Sequence, residues 1–514
     1  MISSAIGAER VSRIVGYKIK KGNFALTSPN LPQKIYVLGT GNIANQATMP
    51  LEKREITSAK EAGDLYGYGS PIYQTMRILR PVNSDGVGAI PTVVFAQADA
   101  GGATAAVAPC DVTISTTATD SATHYAVING RKEIDGKQFA YSVVKGDTDV
   151  IVIGKIVDAI NAVLGSPVIA ATVGTPVTSF TLTTKYAGAH AAGLSVSFDT
   201  NGKDCGITYT VSAVTGGTGV VVLTNALAAI GNEWYTWLIN PYGTAAFDTL
   251  EAYNGVPDPT NPTGRYQSIV MKPLISVWGS SEDDKADLIA ITDAAARKSQ
   301  VTHALAPAPL SKGQPWEAAA NMVYLSAVTA QNSPHLDVCG QSYPDMPVPI
   351  DGQIGDMSDY NNRDYLAGRG SSTVDIIAGK YVVQDFVTTY HPDGEIPPQF
   401  RYCRNLMLDF NVKYGYYLLE QTFVVDKAIA PSDQSINVTN VIKPKDWKQV
   451  IRSYADDLAG RALISDTDFT KNSITVGVST VNPDRLETFF RYKRTGVARI
   501  SSTDAEVGFA FGVV

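Results

Sequence analysis

Two glycines that follow an apolar run are the first residues in the chain whose spacing could do chemistry. The run Lys34–Leu38 is closed by Gly39-Thr-Gly41-Asn-Ile-Ala44, which formally matches the G-x-G-x-x-G/A pattern of dinucleotide sites. In such sites the glycines let backbone N–H groups approach a pyrophosphate, at the start of a helix, with an acidic residue about 20 positions further on. Pro50 interrupts the would-be helix, and no apolar strand follows in time. The glycines therefore favour a tight turn at the end of a strand over a nucleotide site.

The histidines stand apart from one another along the chain. None belongs to an H-E-x-x-H or similar arrangement that would bring two ring nitrogens to one metal ion. We therefore expect structural or surface histidines, and no metal site, at His124, His190, His303, His335 and His391.

A loop rich in aspartate resembles a cation site superficially, because hard cations need converging carboxylate oxygens. Its residues lack the D-x-[DN]-x-[DN]-G order of a calcium-binding loop. The pattern predicts a solvated connection that carries Asp351, Asp356, Asp359 and Asp364.

The sequence shows no signature of nucleophilic catalysis or phosphate binding. The G-x-S-x-G elbow, the G-x-x-x-x-G-K-[ST] loop and the known cysteine–histidine family signatures do not occur. Cysteines at positions 110, 205, 339 and 403 form no C-x-x-C pair, which argues against zinc and disulfides and fits a reduced, intracellular site of synthesis. We predict a protein that is not an enzyme and uses no cofactor.

Composition argues against two classes of partner. The 514 residues predict two to four packed units, and charged residues make up 18%, against about 25% in typical soluble proteins. With 42 Lys and Arg against 49 Asp and Glu, the net charge of −7 gives no field that would attract nucleic acid.

No run approaches the length of a membrane span, and the N-terminus does not resemble a signal peptide. We expect neither membrane insertion nor export.

Helical and strand-like periodicities alternate along the chain, which predicts mixed α/β units that position these residues. Two strands, Ser268–Val277 and Val301–Ala306, flank a helix that reaches about Ser299, and the run Ser280–Asp284 has the Ser-to-Asp spacing of a capping box. Further helices are predicted at 58–66, 70–80, 149–164, 401–421 and 444–461, and late strands at 473–481 and 485–494.

A middle segment differs from its surroundings in composition. From about Gln97 to residue 212 the chain is rich in Ala, Thr, Gly and Val, and Lys185 is the only formal charge between Asp158 and Asp199. Short β-type runs flank one helix there, so we interpret the segment as an inserted β-rich domain, with a continuation of the core as the alternative.

Each end of the chain carries a strand-like arm in which apolar residues alternate. Such arms can add to the edge of a sheet in another chain, where backbone hydrogen bonds supply affinity and alternate side chains supply register. Pairing within one domain is the alternative that periodicity leaves open. The alternating positions are Val15, Tyr17 and Ile19 near the start and Val507, Phe509, Phe511 and Val513 near the end.

Several short segments, collinear over most of the chain, resemble the tail sheath proteins of contractile phage tails, particularly the Mu-like group. No single segment is specific, but their order is the order in that family. The sequence departs from the Mu-like pattern at Tyr242–Arg265 and in much of the inserted segment. The segments are Gly63-Asp-Leu-Tyr-Gly-Tyr-Gly-Ser-Pro-Ile-Tyr-Gln-Thr-Met76, Ile128-Asn-Gly-Arg131, Lys145-Gly-Asp-Thr148, Ala159-Ile-Asn-Ala162, Trp316-Glu-Ala-Ala-Ala320, Pro347-Val-Pro-Ile350, Tyr360-Asn-Asn-Arg-Asp-Tyr-Leu366, Gly370-Ser-Ser-Thr-Val374, Val387-Thr-Thr-Tyr390, Val441-Ile-Lys-Pro-Lys-Asp446 and Asn482-Pro-Asp-Arg485.

The resemblance implies a multidomain fold of the α+β and α/β classes with strand-exchanging terminal arms. An N-terminal arm at 1–25 would precede an α/β middle domain formed by 26–96 and 213–375. Residues 97–212 would form a protruding β-rich domain inserted into it, residues 376–500 an inner α+β domain, and residues 501–514 the C-terminal arm.

The resemblance also implies a structural role. Sheath subunits stack as hexameric rings around an inner tube, their ends pair with sheets in neighbouring subunits, and contraction drives the tube through the host envelope during genome delivery. The expected partners are further copies of the chain, the inner tube protein, and the baseplate and tail terminator proteins, with assembly in the host cytoplasm and a final location in the virion tail. Cations off the apolar face of the 444–461 helix are candidates to contact an acidic tube surface, with a solvated face as the alternative: Lys445, Lys448 and Arg452.

Three other functions stay open at this point. The sheath of a phage-derived device, such as an R-type bacteriocin or a secretion-like injector, would carry the same signals. A nucleotide-dependent oxidoreductase built on Gly39–Ala44 would bind a cofactor as an isolated protein. A surface adhesion protein with Ig-like modules would need export, against which the missing signal peptide counts.

Overall fold

A computed structural model describes residues 29–507 and divides them into two compact units. The larger unit contains residues 31–411 and 497–507, and the smaller unit contains residues 29–30 and 412–496. The predicted arm positions Val15, Tyr17, Ile19, Phe509, Phe511 and Val513 lie outside the described residues.

The larger unit begins with the predicted strand and pair of helices. Ser58 and Ser70 cap the two helices, their hydroxyl oxygens accepting hydrogen bonds from the backbone N–H groups three residues on. Pro71 occupies the first turn of the second helix, as expected, because its missing N–H is not needed there. The elements are β1 (Ile35–Thr40), β2 (Arg54–Glu55), α1 (Ala59–Tyr66), α2 (Pro71–Leu79) and β3 (Thr92–Gln97).

The segment that follows is rich in antiparallel strands. One sheet has the order β12-β4-β10-β9, with β13 also on β4, and a second has the order β11-β5-β8. The first and last strands of the segment pair with each other: Thr104 is the cross-strand partner of Thr218, and their hydroxyl oxygens lie 2.9 Å apart. Its elements are β4 (Thr104–Ile114), β5 (Ala122–Ile128), β6 (Glu133–Ile134), β7 (Lys137–Gln138), β8 (Ala140–Val143), α3 (Asp149–Asn161), β9 (Val168–Val173), β10 (Ser179–Ala187), β11 (Val196–Asp199), β12 (Ile207–Val211) and β13 (Thr215–Thr218).

After this segment the chain returns to alternating helices and strands. These elements are α4 (Thr224–Ile230), β14 (Trp237–Asn240), α5 (Phe247–Asn254), β15 (Ile275–Ser280), α6 (Lys285–Thr292), β16 (His303–Pro307) and α7 (Pro315–Asn332).

A mostly parallel sheet forms the centre of the larger unit. Its order is β16-β15-β14-β1-β3-β2, and only β2 pairs antiparallel within it. Numbered along the chain, the parallel strands have the spatial order 2-1-3-4-5 of a doubly wound sheet. Gly39 of β1 lets α2 approach one face, since a Cβ there would lie 2.7 Å from Ile72. On the other face Tyr36 and Leu38 join a buried cluster with α4 and α5.

Two sequence predictions around β15 are wrong. The strand was expected over Ser268–Val277, but residues 267–271 form a turn and Ile269 is 99% exposed, so pairing starts only after Pro273, which has no N–H to donate. The helix that follows is not capped by the predicted serines: Asp284 caps it, accepting from the Ala286 N–H at 2.6 Å. It ends at Thr292 rather than near Ser299.

The last part of the larger unit leads into a long helix. Asp359 caps the first of these helices, accepting hydrogen bonds from the backbone N–H groups of Asn361 and Asn362. The elements are α8 (Tyr360–Gly368), β17 (Thr373–Ile377), β18 (Lys380–Asp385) and α9 (Cys403–Phe423), and the last of them continues into the smaller unit.

The smaller unit is built around the predicted 444–461 helix. Trp447, Ile451, Tyr454 and Leu458 form its buried face, as the periodicity predicts. Gly415 of α9 allows a close approach, since a Cβ there would lie 2.5 Å from the Tyr454 hydroxyl. The elements are β19 (Ala428–Ile429), β20 (Val441–Ile442), α10 (Pro444–Gly460), α11 (Thr467–Ser473), β21 (Thr475–Val478) and β22 (Leu486–Phe489).

The described residues therefore form a mixed α/β fold with several separate sheets, which is the fold class that the sequence predicts.

Candidate assembly surfaces

The glycine pair after β1 lies where doubly wound sheets bind ligands, at the carboxyl ends of the strands where the order reverses. The backbone around it is already used: the Asn42 N–H donates to the Tyr66 carbonyl at 2.8 Å. A Cβ on Gly41 would lie 2.7 Å from Met49 Sδ and 2.9 Å from the Tyr66 oxygen, so the glycine is explained by packing. A short 3-10 turn, Ile43–Asn45, follows in place of a phosphate-binding helix.

A histidine from the β-rich segment fills this crevice. The His190 ring nitrogen Nε2 lies 3.1 Å from the hydroxyl oxygen of Thr40, the last residue of β1. Its ring stacks on Tyr186 at 5.6 Å between centroids and meets Trp316 and Tyr242 edge-on at 5.6 and 5.5 Å. Burial lowers the pKa of His190 to about 4, so the ring is neutral at ordinary pH. The crevice that could have held a nucleotide is occupied by side chains of the chain itself. The predicted turn begins later than expected, because Gly39 and Thr40 still belong to β1 and pair with Ala96 and Gln97.

Three of the other four histidines make side-chain contacts in separate parts of the larger unit, and His335, half-buried, accepts hydrogen bonds from Arg404 through its backbone carbonyl. His124 lies between the Tyr209 hydroxyl and the Lys203 carbonyl, at 2.6 and 2.7 Å. His303 stacks on Phe247 at 3.9 Å, and burial lowers its pKa. His391 pairs with Asp293 at 3.0 Å. Among residues 29–507 no group of three or more His, Cys, Asp and Glu could hold a metal ion.

The aspartates of the 351–364 loop serve turns and helix ends. Asp356 accepts hydrogen bonds from the Lys285 backbone N–H at 3.0 Å and the Asn362 side chain at 3.3 Å. Asp359 caps α8, and Asp351 accepts from the backbone N–H of Gln353 at 3.1 Å. These contacts account for Asp351, Asp356 and Asp359, whereas Asp364 lies within α8 and not in a connection.

A network of ion pairs fastens the β-rich segment to the rest of the larger unit. Arg131 lies between Asp345 and the buried Glu317, with its guanidinium 3.1 Å from the Glu317 carboxylate. Arg77 of α2 bonds Asp135 at 2.7 Å. Sequence analysis missed this network, because its partners lie 186 and 214 positions apart along the chain. A cleft of about 660 Å³ lies beside it, and the charged groups that line it pair mainly with one another.

The smaller unit exposes the edges of very short sheets. Within the described residues β21 pairs only with β22, and β19 only with β20. The β21–β22 hairpin rests on the unit's core through Val476 and Leu486, and the Trp447 indole N–H donates to Thr488 at 3.0 Å. Within the described residues no further strand pairs with either edge of this hairpin, and an unpaired strand edge is a template for another strand.

The three predicted tube-facing cations lie on α10, away from its buried face. Lys445 and Lys448 are exposed. Arg452 is half-buried, and its guanidinium donates to the Lys471 carbonyl at 3.2 Å, near the end of α11. The two lysines therefore present free charge to solvent, whereas Arg452 also stabilises a neighbouring helix end.

Val507 is the one alternating apolar position of the C-terminal arm that the structure describes, and it is 96% exposed. Residues 501–507 have no regular secondary structure and are all exposed. They therefore contribute little to the core of the larger unit.

No helix in the described part of the chain has both the length and the apolar character needed to span a bilayer.

Three solved structures are similar to this chain. The sheath tail protein from Desulfitobacterium hafniense is 14% identical, with a TM-score of 0.43, over 93% of this chain and 100% of that one. The anti-feeding prophage helical sheath in its contracted state is 9% identical, with a TM-score of 0.41, over 97% and 99%. The baseplate of the same particle in its contracted state is 10% identical, with a TM-score of 0.45, over 96% and 99%. No protein family model and no curated protein sequence matches.

Proposed function

We propose that the chain is the structural subunit of a contractile tail sheath. It polymerises as stacked hexameric rings around an inner tube, and contraction of the assembly drives the tube through the host envelope. Its partners are further copies of itself, the tube protein, and the baseplate and tail terminator proteins. The collinear segments that resemble Mu-like sheaths supply the first support for this role.

Two features together carry the proposal: two-stranded sheets whose edges have no further strand within the described residues, and strand-like arms in the sequence. A two-stranded sheet is marginally stable by itself, and its unpaired edges are templates for strands of another chain. The smaller unit has two such sheets, and the sequence has an alternating apolar arm at each end. In our proposal each arm adds to a hairpin of a neighbouring subunit, so that the copies form one continuous mesh.

The proposal assigns a role to each part of the chain. Residues 26–96 and 213–375 form the middle domain, residues 97–212 protrude from it, and residues 376–500 form the inner domain nearest the tube. Residues 1–25 and 501–514 are the arms. Lys445 and Lys448 are the cations we place against the tube, with Arg452 beside them.

Contraction in this proposal uses no nucleotide. The crevice at the end of β1 is filled by His190 and its aromatic neighbours, so energy from a bound nucleotide is not invoked there. The work comes from a switch between two packings of rigid subunits, of which the contracted one has the lower free energy.

Removal of the C-terminal arm tests the proposal. We expect purified full-length protein to form hollow tubes or rings with six-fold end views in negative-stain electron microscopy, across a concentration and salt series. Deletion of residues 501–514 should leave a folded protein that no longer polymerises, because the described part of this segment is exposed.

Two substitutions at neighbouring positions of the arm, one at an alternating apolar position and one beside it, provide the control. If the arm pairs as a strand, Phe509 and Ala510 would lie on its opposite faces, because successive side chains of a strand alternate. Phe509→Asp should abolish tubes, whereas Ala510→Asp should affect them far less. Normal tubes from the truncated protein would contradict the arm mechanism. If full-length protein stays monomeric even when tube protein is added, the sheath assignment is wrong.

A further inference from the structure

One arginine side chain near the C-terminus is held by three segments of the larger unit. The guanidinium of Arg499 pairs with the Asp337 carboxylate, which is 5% exposed, and with the Asp385 carboxylate at 3.2 Å. Asp337 follows α7, and Asp385 is the last residue of β18. The guanidinium also lies 3.8 Å from the ring centroid of Tyr402, just before α9.

These contacts form a built receptor for a guanidinium group. Two carboxylates bind its donors, and an aromatic ring covers its plane, a combination that suits arginine and not lysine. Asp385 is itself fixed by the Thr373 hydroxyl, which donates to it at 3.0 Å. Asp337 accepts a further hydrogen bond from the backbone N–H of Val338 at 2.7 Å. The receptor side is therefore ordered by groups other than Arg499.

The described residues after Arg499, 500–507, are exposed. Ile500 is 81% exposed and Val507 is 96% exposed, although both are apolar. Arg499 is thus the last of the described residues that is not exposed.

We infer that Arg499 is the fixed root of the C-terminal arm, a positioning residue that sets where the arm leaves the larger unit. This inference rests on the proposed sheath function. Fixing the root reduces the conformational freedom that the arm loses when it pairs with a neighbour, which is the usual benefit of preorganisation. Arg499 acts through the arm and contacts no partner itself.

Limited proteolysis of the unassembled protein tests the root directly. Arg499 is the last basic residue of the sequence, so tryptic cleavage there releases residues 500–514 as one fragment that mass spectrometry identifies. Trypsin must bind the arginine side chain, so the receptor should protect this bond in the native protein. Arg485, whose side chain is 66% exposed, provides the reference site.

Opening the receptor should expose this bond and no other. We expect Asp337→Asn to accelerate cleavage after Arg499 by about ten- to a hundredfold, the range expected from losing a charged hydrogen bond. Cleavage after Arg485 and the thermal midpoint should stay unchanged, which a general loss of structure would not allow. Asp466→Asn, which removes the partner of the exposed Lys493, is the matched control and should leave Arg499 protected.

Two results would overturn the inference. One is cleavage after Arg499 as rapid as after Arg485 in the unaltered protein. The other is a rate of cleavage after Arg499 that neither Asp337→Asn nor Tyr402→Leu changes. If Asp337→Asn does not fold, Tyr402→Leu alone provides the test.

Assembly provides the second readout. Arg499→Ala should give folded protein that forms at most a tenth of the tubes formed by the unaltered chain, with Arg499→Lys intermediate. Tubes from Arg499→Ala in normal yield would overturn the positioning role. If the unaltered chain forms no tubes, the sheath function fails, while the proteolysis result stands or falls separately.

Discussion

Asp99 follows strand β3 and lies close to the filled crevice. One of its carboxylate oxygens is buried with no hydrogen-bond partner within residues 29–507, while its backbone N–H donates to Gln46 at 3.0 Å. Burial raises the pKa of Asp99 to about 6. Because this pKa lies above that of an ordinary aspartate, the charged form of the carboxyl lowers the free energy of unfolding, and the protonated form does not.

We expect Asp99→Asn to stabilise the protein at neutral pH. A rise in pKa from about 4 to about 6 corresponds to a destabilisation of the folded state by about 3 kcal/mol. Because the group is partly exposed, solvent screens its charge, and we expect the substitution to raise the free energy of unfolding by about 1 kcal/mol. The gain should be complete above about pH 6 and vanish below about pH 4, where the aspartate is protonated in both states. Urea unfolding of both proteins from pH 4 to 8 measures it.

The exposed Asp111, on β4 of the same unit, provides the control for this measurement. Asp111→Asn should leave the free energy of unfolding unchanged within about 0.5 kcal/mol at every pH. A stability gain from Asp99→Asn that persists at pH 4 would show that burial of the charge is not its cause.

At the same scale, sequence reasoning predicted a strand that ends near Gly39–Gly41, and the strand ends at Thr40, but the reasoning missed what fills the space beyond it. Pro50 and the absent second strand were local signals and were sufficient to reject a nucleotide site. His190 lies 150 positions from Thr40, and an isolated histidine carries no indication of its neighbours in the fold. The receptor of Arg499 is hidden for the same reason, since Asp337 lies 162 positions away.

Among the elements, helix α10 carries the proposed contact with the tube. Lys445→Glu with Lys448→Glu should abolish tube-dependent assembly and its salt sensitivity, because charge contacts at an exposed face are screened by salt. The fold of the smaller unit should survive, since both lysines are exposed and the buried face of α10 is unchanged. Electron microscopy with added tube protein, at low and high salt, measures the effect.

A double reversal of equal charge elsewhere controls for the change in net charge. Lys137 and Lys380 are exposed residues of β7 and β18, in the larger unit. Lys137→Glu with Lys380→Glu should assemble normally. Unchanged assembly and salt response of the α10 variant would leave these lysines as a solvated face.

Long amphipathic helices were predicted best because their signal repeats over several turns. The 444–461 prediction matches Pro444–Gly460, and Trp447, Ile451 and Leu458 are buried as expected. Short elements at strand entrances were predicted poorly: the turn at 267–271 has an apolar sequence, and only pairing with β14 determines that β15 begins at Ile275. Register of this kind is a tertiary property, which a local pattern does not contain.

Over the whole molecule, two compact units with separate cores predict two unfolding transitions. Ile451→Ala should destabilise the smaller unit by about 2 to 5 kcal/mol through loss of buried side-chain contacts and leave the other transition unchanged. Ile153→Ala, in the buried cluster of the β-rich segment, should shift only the transition of the larger unit. Differential scanning calorimetry distinguishes the two.

Tryptophan fluorescence assigns the transitions. Trp447 is the tryptophan of the smaller unit, and the other four lie in the larger one, at 234, 237, 278 and 316. Trp447→Phe should remove the fluorescence change of one transition only. A single transition that both isoleucine variants shift equally would mean that the two units unfold as one.

The pairing of the start of the β-rich segment with its end determines where the chain can accept an inserted domain. Thr104 and Thr218 are direct cross-strand partners, so the whole excursion between them leaves and re-enters the fold at two neighbouring points. The cost in loop-closure entropy of connecting β3 to β14 therefore depends little on how many residues lie between Thr104 and Thr218. We therefore expect that a foreign domain with similarly close ends can be inserted within this segment without disturbing the parallel sheet, provided that His190 and Tyr186 stay in place to fill the crevice.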